Sequence, residues 1–383
     1  MSHTINPEFI ALAEATRDAL ANIALDGDES GEYAAAREIL ENSGLLALRI
    51  PAALGGPGAS QVEITEVFRI LAQADPGIAQ LLQPHYGFTD AVVMLGSDDA
   101  RERLYADIRA GKRIANAAAE RGGRHAADFS TVFTRQEDGS YLASGQKFYA
   151  TGSLGAAWIT VMAVDGEGSV IMSFIPTDAP GLEIIDDWSG MGQRGSGSGT
   201  LRLSEVAVPA DFVFAWSPAT RPTAWAEAGR LAHAAIDVGI AEGALRYGVA
   251  SVRASNRVPF ELAQYASLVE DPILRFQVGK ESAAVRAVAA LLRETAAVID
   301  RAEATPDAPE SLLTEVREGL LATKALSADV SNRVATELFS WTGARTADRS
   351  LRADRFWRNA RTHTLHDPVR LRYADLGQIE LNR

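Results

Sequence analysis

The 383-residue chain contains no cysteine. That excludes disulfides, thiolate metal ligands and a cysteine nucleophile, and it fits a reducing, cytoplasmic setting. Long apolar runs are missing too: none approaches the roughly 18 residues of a membrane span. The N-terminus is polar and then amphipathic, with no basic stretch leading into an apolar one, so no secretory leader is expected. Nor is there a surplus of positive charge. The formal net charge is −13, with the acid spread along the chain, which argues against a nucleic-acid partner. No histidine–carboxylate grouping has metal-ligand spacing, so no metal is expected. The glycine-rich segment Gly192-Gln-Arg-Gly-Ser-Gly-Ser-Gly199 lacks the GK[ST] ending of a phosphate loop and leads into no helix. It reads as a mobile turn between strands near a substrate mouth.

What is present divides into three zones, as a chain of this length should. Residues 1–118 read as a helical domain, with apolar positions at helical spacing in stretches starting at Pro7, Glu32 and Val62. Ser60 and Glu63 have the spacing of a capping box. Residues 119–220 read as a β domain. Tyr141–Ser144, Trp158–Val164, Val170–Ile175 and Thr200–Val208 are short β-branched or alternating runs broken by Asp-Gly and Gly clusters, the pattern of an antiparallel sheet or barrel. Residues 221–383 return to helical spacing, with 303–310 as a polar loop between two long helices. The fold class expected is α+β: an N-terminal helical domain, a central β-barrel and a C-terminal four-helix bundle.

Four segments carry a resemblance to the acyl-CoA dehydrogenase superfamily. They are Ile50–Ser60 with its Leu-Gly-Gly-Pro-Gly turn, Gly145-Gln-Lys-Phe-Tyr-Ala-Thr-Gly152, Gly190–Ser196 followed by Val206-Ala-Val-Pro209, and Thr323–Ala335. Two more, Asp186–Arg194 and Arg361-Thr-His-Thr-Leu-His-Asp-Pro368, resemble the branch of dibenzothiophene monooxygenases and sulfur-acquisition oxidoreductases. This resemblance implies a two-component monooxygenase. It would take reduced FMN from a separate NAD(P)H:flavin reductase, react it with O2 to a C4a-(hydro)peroxyflavin, and oxygenate a small organosulfur or related heteroatom compound. A homotetramer is implied as well. The alternative is an FAD-dependent acyl-CoA dehydrogenase-like enzyme with a relocated base, and a non-catalytic flavin-binding scaffold is a third reading.

The late region bears on the choice between the first two and leaves a relocated base open. A dehydrogenase needs a carboxylate base, and Arg358–Pro368 offers only Asp367, held before a proline. In its place stand His363 and His366, three apart, which helical spacing would put on one face. A histidine there could hold or protonate a peroxide oxygen. His85 falls where the resemblance lines the substrate side, and it reads equally as a helix-start histidine bonded to backbone. His3, His125 and His233 have no motif around them and read as surface or packing residues. By the resemblance, Asn116, Thr151 and Gly152 contact the flavin, and Tyr149 and Trp188 wall the ring or substrate. Arg257 matches an arginine that reaches a neighbouring subunit's flavin phosphates. Arg345 is a second candidate for the FMN phosphate. Glu261 stands where the family loop accepts an ADP pyrophosphate, which favours FMN over FAD.

Overall fold

The computed structural model describes residues 5–123, 128–217 and 223–382. Six helices open the chain: α1 (Pro7–Ser30), α2 (Ala34–Glu41), α3 (Gln61–Leu71), α4 (Pro76–Gln80), α5 (Leu82–Ala91) and α6 (Asp98–Arg109). Their starts follow local chemistry. Asn6 accepts the Glu8 N–H ahead of Pro7 at α1, and Ser60 with Glu63 forms the expected reciprocal box at α3.

The middle domain comprises β1 (Ile114–Ala117), β2 (Val132–Arg135), β3 (Tyr141–Ala150), β4 (Trp158–Asp165), β5 (Val170–Pro176), β6 (Leu182–Ile185), β7 (Gly199–Val208) and β8 (Val213–Ala215). The sheet runs β6-β7-β3-β2-β4-β5-β8, with β1 also on β4. Where an antiparallel sheet or barrel is expected from sequence, the structure has a mixed sheet. β1 and β2 lie end to end along one edge of β4, both parallel to it. These non-local parallel pairings are four residues or fewer and carry no alternation to read. β1 thus draws the end of the segment assigned to the N-terminal domain into the sheet. The second expected boundary, at 220/221, lies outside the described residues.

The C-terminal domain has three long helices, α7 (Trp225–Arg253), α8 (Pro272–Glu303) and α9 (Glu310–Thr342). The short α10 (Asp354–His363) packs on α7 and α9 as the fourth, and α11 (Val369–Leu381) packs on α9. The middle of α7, Leu231–Ala241, is buried on every side, as its nearly unbroken run of small and apolar residues requires. Contact with α3 is tight: a Cβ at Gly239 would stand 2.5 Å from the Arg69 carbonyl oxygen. Among the described residues no helix is long and apolar enough to cross a membrane.

Candidate active site

One half of the site belongs to the sheet. Asn116 on β1 donates its backbone N–H to the Thr151 carbonyl at 3.2 Å. Thr151 Oγ1 lies 3.0 Å from Ser198 Oγ, which lies 2.9 Å from Ser196 Oγ. Asn116 Oδ1 is buried and has no hydrogen-bond partner among the described residues. Leaving such an acceptor unpaired costs about 1–3 kcal/mol, so it marks a position waiting for a donor. Gly152 follows at φ +76°, where a Cβ would crowd Arg113 Nη1 at 3.2 Å. The buried Arg113 fixes this turn by donating to the Gly152 and Leu154 carbonyls, each at 2.9 Å.

Tyr149 has φ +56° and is 54% exposed, unusual for an aromatic residue with a Cβ. Its ring meets Trp188 edge-on at 6.3 Å, and Trp188 Nε1–H donates to the Gln193 carbonyl at 2.9 Å. A cavity of about 200 Å³ opens between Arg121, Tyr149, Trp188, Ser198 and Thr200. Beyond Trp188–Met191 a wider one of about 980 Å³ is lined by Asp28, Arg194, Arg349 and Arg352. Beneath the sheet face Lys147 and Glu120 form a buried pair at 2.6 Å. Burial opposes the Glu120 charge, but bonds from Lys147, Ser130 and Thr131 outweigh it and hold the carboxyl down at about 2.

The glycine-rich segment joins this half to the helices, and here the structure corrects the sequence reading. Gln193, Gly195 and Ser196 are buried, and the Gln193 N–H donates to Asn359 Oδ1 of α10 at 2.6 Å. A Cβ at Gly192 would sit 2.2 Å from the Arg358 carbonyl oxygen. Glycine is therefore needed for close backbone approach rather than for mobility, and the expected mobile turn is a packed link.

The other half is a cluster of histidines. α10 ends at His363 and Thr364 caps it, so His366 lies in the turn before α11, off the helical face expected from the spacing of three. The two are brought together by His233 of α7. His233 Nδ1 lies 3.1 Å from His363 Nε2, and the His233 and His366 rings stack with centroids 4.0 Å apart. His363 Nδ1 is 2.6 Å from Asp237 Oδ1, while Lys324 Nζ of α9 is 2.8 Å from Asp237 Oδ2. Gln80 Oε1, at the end of α4, is 3.2 Å from His363 Nε2. Burial drives His233 well below its ordinary value. Partial burial of its ring against His233 lowers His366 as well, against the opposing pull of Asp367. His366 keeps an open edge, with 57% of its side chain exposed.

The remaining candidates fall elsewhere. His85 is fully buried, and main chain takes both its ring nitrogens: Nε2 meets the Leu46 carbonyl at 2.9 Å, and Nδ1 accepts the Ile114 N–H at 3.1 Å. That geometry leaves no nitrogen for a substrate and makes His85 the anchor of β1. Arg257 follows the C-terminal end of α7, and Arg345 follows that of α9; both are exposed. At 1.5 Å per residue they lie about 30 Å along the bundle from His233 and Lys324, so neither meets the histidines within one chain. His3 and His125 lie outside the described residues. Among the described residues no three or more His, Cys, Asp or Glu side chains are grouped so as to hold a metal ion.

Sequence reasoning missed Asp237, Lys324, Gln80 and Ser198, and it passed over His233. The available signal was an aspartate and a histidine one turn apart in the otherwise apolar Leu231–Ala241. A lysine in Leu320-Leu-Ala-Thr-Lys-Ala-Leu326 pointed the same way, because buried charges are rare unless paired.

Comparison with known proteins places this architecture. The acyl-CoA dehydrogenase N-terminal, middle and C-terminal domain families match residues 11–112, 115–206 and 231–370. The chain is 31% identical to dibenzothiophene monooxygenase of Rhodococcus qingshengii, over 97% of this chain and 93% of that one. The chain belongs to the acyl-CoA dehydrogenase family. Within it, a probable FMNH2-dependent monooxygenase of Pseudomonas putida is 30% identical over 97% of this chain and 94% of its own length. Among solved structures, FMN-bound TdsC from Paenibacillus sp. A11-2 superposes with a TM-score of 0.92 at 27% identity, covering 98% of this chain and 97% of that one. The methanesulfinate monooxygenase MsuC from Pseudomonas fluorescens does so at 0.89 and 27%, covering 99% and 97%.

Proposed function

We propose that this chain is a reduced-FMN-dependent monooxygenase that oxygenates a small organosulfur compound. The observation that carries this reading is what occupies the place of a base. Of the two carboxylates at the histidine cluster, Asp237 is bonded to Lys324 and His363 and so is not free to take a substrate proton, and Asp367 stands before a proline, beside His366 and Arg372. A neutral histidine edge is presented instead. The likeness over 97% of the chain to a dibenzothiophene monooxygenase and to a probable FMNH2-dependent monooxygenase agrees.

The residues fit a flavin. The unpartnered Asn116 Oδ1 offers an acceptor, Thr151 and Ser198 offer paired hydroxyls, and Tyr149 with Trp188 forms an aromatic wall. Reduced FMN, when bound, supplies the two electrons by which one atom of O2 enters the substrate and the other leaves as water. The protein's part is positioning, proton handling and water exclusion. With the flavin bound, His366 would offer a proton-accepting edge to the reacting oxygen, His363 would support it, and Asn116, Thr151 and Gly152 would orient the ring. His85 serves indirectly, by fixing β1. FMN rather than FAD is the cofactor favoured by the FMN-bound relative.

Arg257 and Arg345, remote from the histidines of their own chain, would meet a flavin phosphate only from a second subunit. A homotetramer is therefore part of this reading. Exposed Phe260, Ile273 and Phe276 near that end of the bundle, at 91%, 65% and 72%, supply apolar area for it to cover. A separate NAD(P)H:flavin reductase in the same cytoplasm would deliver the reduced flavin.

The test is anaerobic protein loaded with reduced FMN and mixed with ¹⁸O2 and a panel of sulfides, sulfones, sulfinates and indole. A product carrying one ¹⁸O atom is expected. Hydrogen peroxide alone across the panel, together with bound FAD that an acyl-CoA reduces, would overturn the reading.

A further inference from the structure

Asp237, Lys324, His363 and His233 form a continuous hydrogen-bonded chain inside the C-terminal domain, and every member is buried. Lys324 is 1% and Asp237 0% exposed. A carboxylate accepts only, so His363 Nδ1, at 2.6 Å from Asp237 Oδ1, carries the proton. On a neutral ring Nε2 is then the acceptor, and the Nδ1–H of His233 at 3.1 Å is its donor. Gln80 gives a second donor when its NH2 end faces the ring; the two ends of an amide have nearly the same shape.

A buried aspartate beside an imidazole ordinarily draws a second proton onto the ring, because the cation pairs with the carboxylate. Here the second carboxylate oxygen is already matched by Lys324 Nζ at 2.8 Å, with Ser327 Oγ at 3.3 Å. Aspartate and lysine cancel, and a proton added to His363 would leave an uncompensated buried charge. His366, stacked on His233, would meet that charge through the ring between them. The other charged groups facing His366 are Asp367, 3.8 Å from its Nδ1, and Arg372, 3.9 Å from Asp367. Arg372 is shared with Asp375 at 3.6 Å, so Asp367 keeps a pull on His366 that the buried Asp237–Lys324 pair does not exert on His363.

We propose that Lys324 is the countercharge that keeps the His233–His363–His366 cluster neutral, and that Asp237 fixes the His363 tautomer. Both are positioning residues for the edge that His366 presents. This rests on the functional reading above only for its purpose; the charge state is a property of the protein without flavin.

The experiment is ¹⁵N-histidine NMR on the flavin-free protein at pH 7, for wild type, Lys324→Arg, Lys324→Met and the double variant Asp237→Asn/Lys324→Met. Wild type should show His363 as the neutral Nδ1–H tautomer, and Lys324→Arg should match it. Lys324→Met should move the His363 Nε2 signal from acceptor to N–H, and the double variant should return it. With reduced FMN and O2, Lys324→Met should also lose several-fold more of its oxidising equivalents as hydrogen peroxide than Lys324→Arg. A doubly protonated His363 in wild type, or a His363 whose nitrogen signals do not move in folded Lys324→Met, overturns the proposal. The wild-type spectrum decides even where Lys324→Met does not fold. Failure of the monooxygenase reading would leave these spectra untouched.

Discussion

The rings of His233 and His366 lie face to face at 4.0 Å and 24°, yet one is sealed in the domain interior and the other has an open edge. On the proposed reading, such a pair separates support from action. His366→Ala should lower product formation by about 10²-fold or more and divert reducing equivalents to hydrogen peroxide. Its unfolding free energy should stay within about 1 kcal/mol of wild type, as for other exposed side chains. Paired oxygen-consumption, peroxide and denaturation assays measure both. An equal loss of stability and coupling would place His366 with the scaffold instead.

His85 should behave in the opposite way. Its ring joins Leu46 to Ile114 by two buried bonds, so His85→Ala should destabilise the fold by about 2–4 kcal/mol. Burial pushes the ring down to about 4 from 6.5, so the folded state favours the neutral form. Its contribution is complete above about pH 6.5 and is lost as pH falls from there toward 4. Urea denaturation at pH 8 and pH 5 should show this loss in wild type and a smaller one in His85→Phe.

On the proposed reading, Asn116 trades stability for binding. Because its Oδ1 is buried and unpartnered, Asn116→Leu should leave the flavin-free protein as stable as wild type, or more stable by up to about 1 kcal/mol. FMN affinity should fall at least about tenfold, read by fluorescence quenching. A variant that loses stability without losing affinity would mean that the amide serves the fold.

Phe260→Asp with Phe276→Asp should reduce the assembly mass in light scattering. Arg257→Ala should leave the mass unchanged while weakening FMN binding by about tenfold or more. If Arg257→Ala binds FMN normally in an intact assembly, the arginine holds no phosphate.

Sequence carried the helices well, because caps and periodicity are local. The Ser60–Glu63 box, Pro7 at the start of α1 and the long apolar periods of α8 and α9 needed no partner to be read. β1 and β2 escaped because each is four residues long and takes its register from β4, far along the chain. At the candidate site, motifs pointed to Asn116, Thr151 and His366, whose surroundings are short and patterned. They did not reach Asp237 and Lys324, which gain meaning only when α7 and α9 lie side by side. The Gln193–Asn359 bond was hidden for the same reason, its partners standing on different domains.

That bond ties the sheet to the helix ending in His363, with the Gly192 backbone pressed against Arg358. The bond and the close backbone contact brace the sheet side of the candidate site against the helix that ends in His363. On the proposed reading, selectivity among sulfur compounds then becomes a question of shape, with a larger or smaller one admitted or refused by the side chains that line the braced opening.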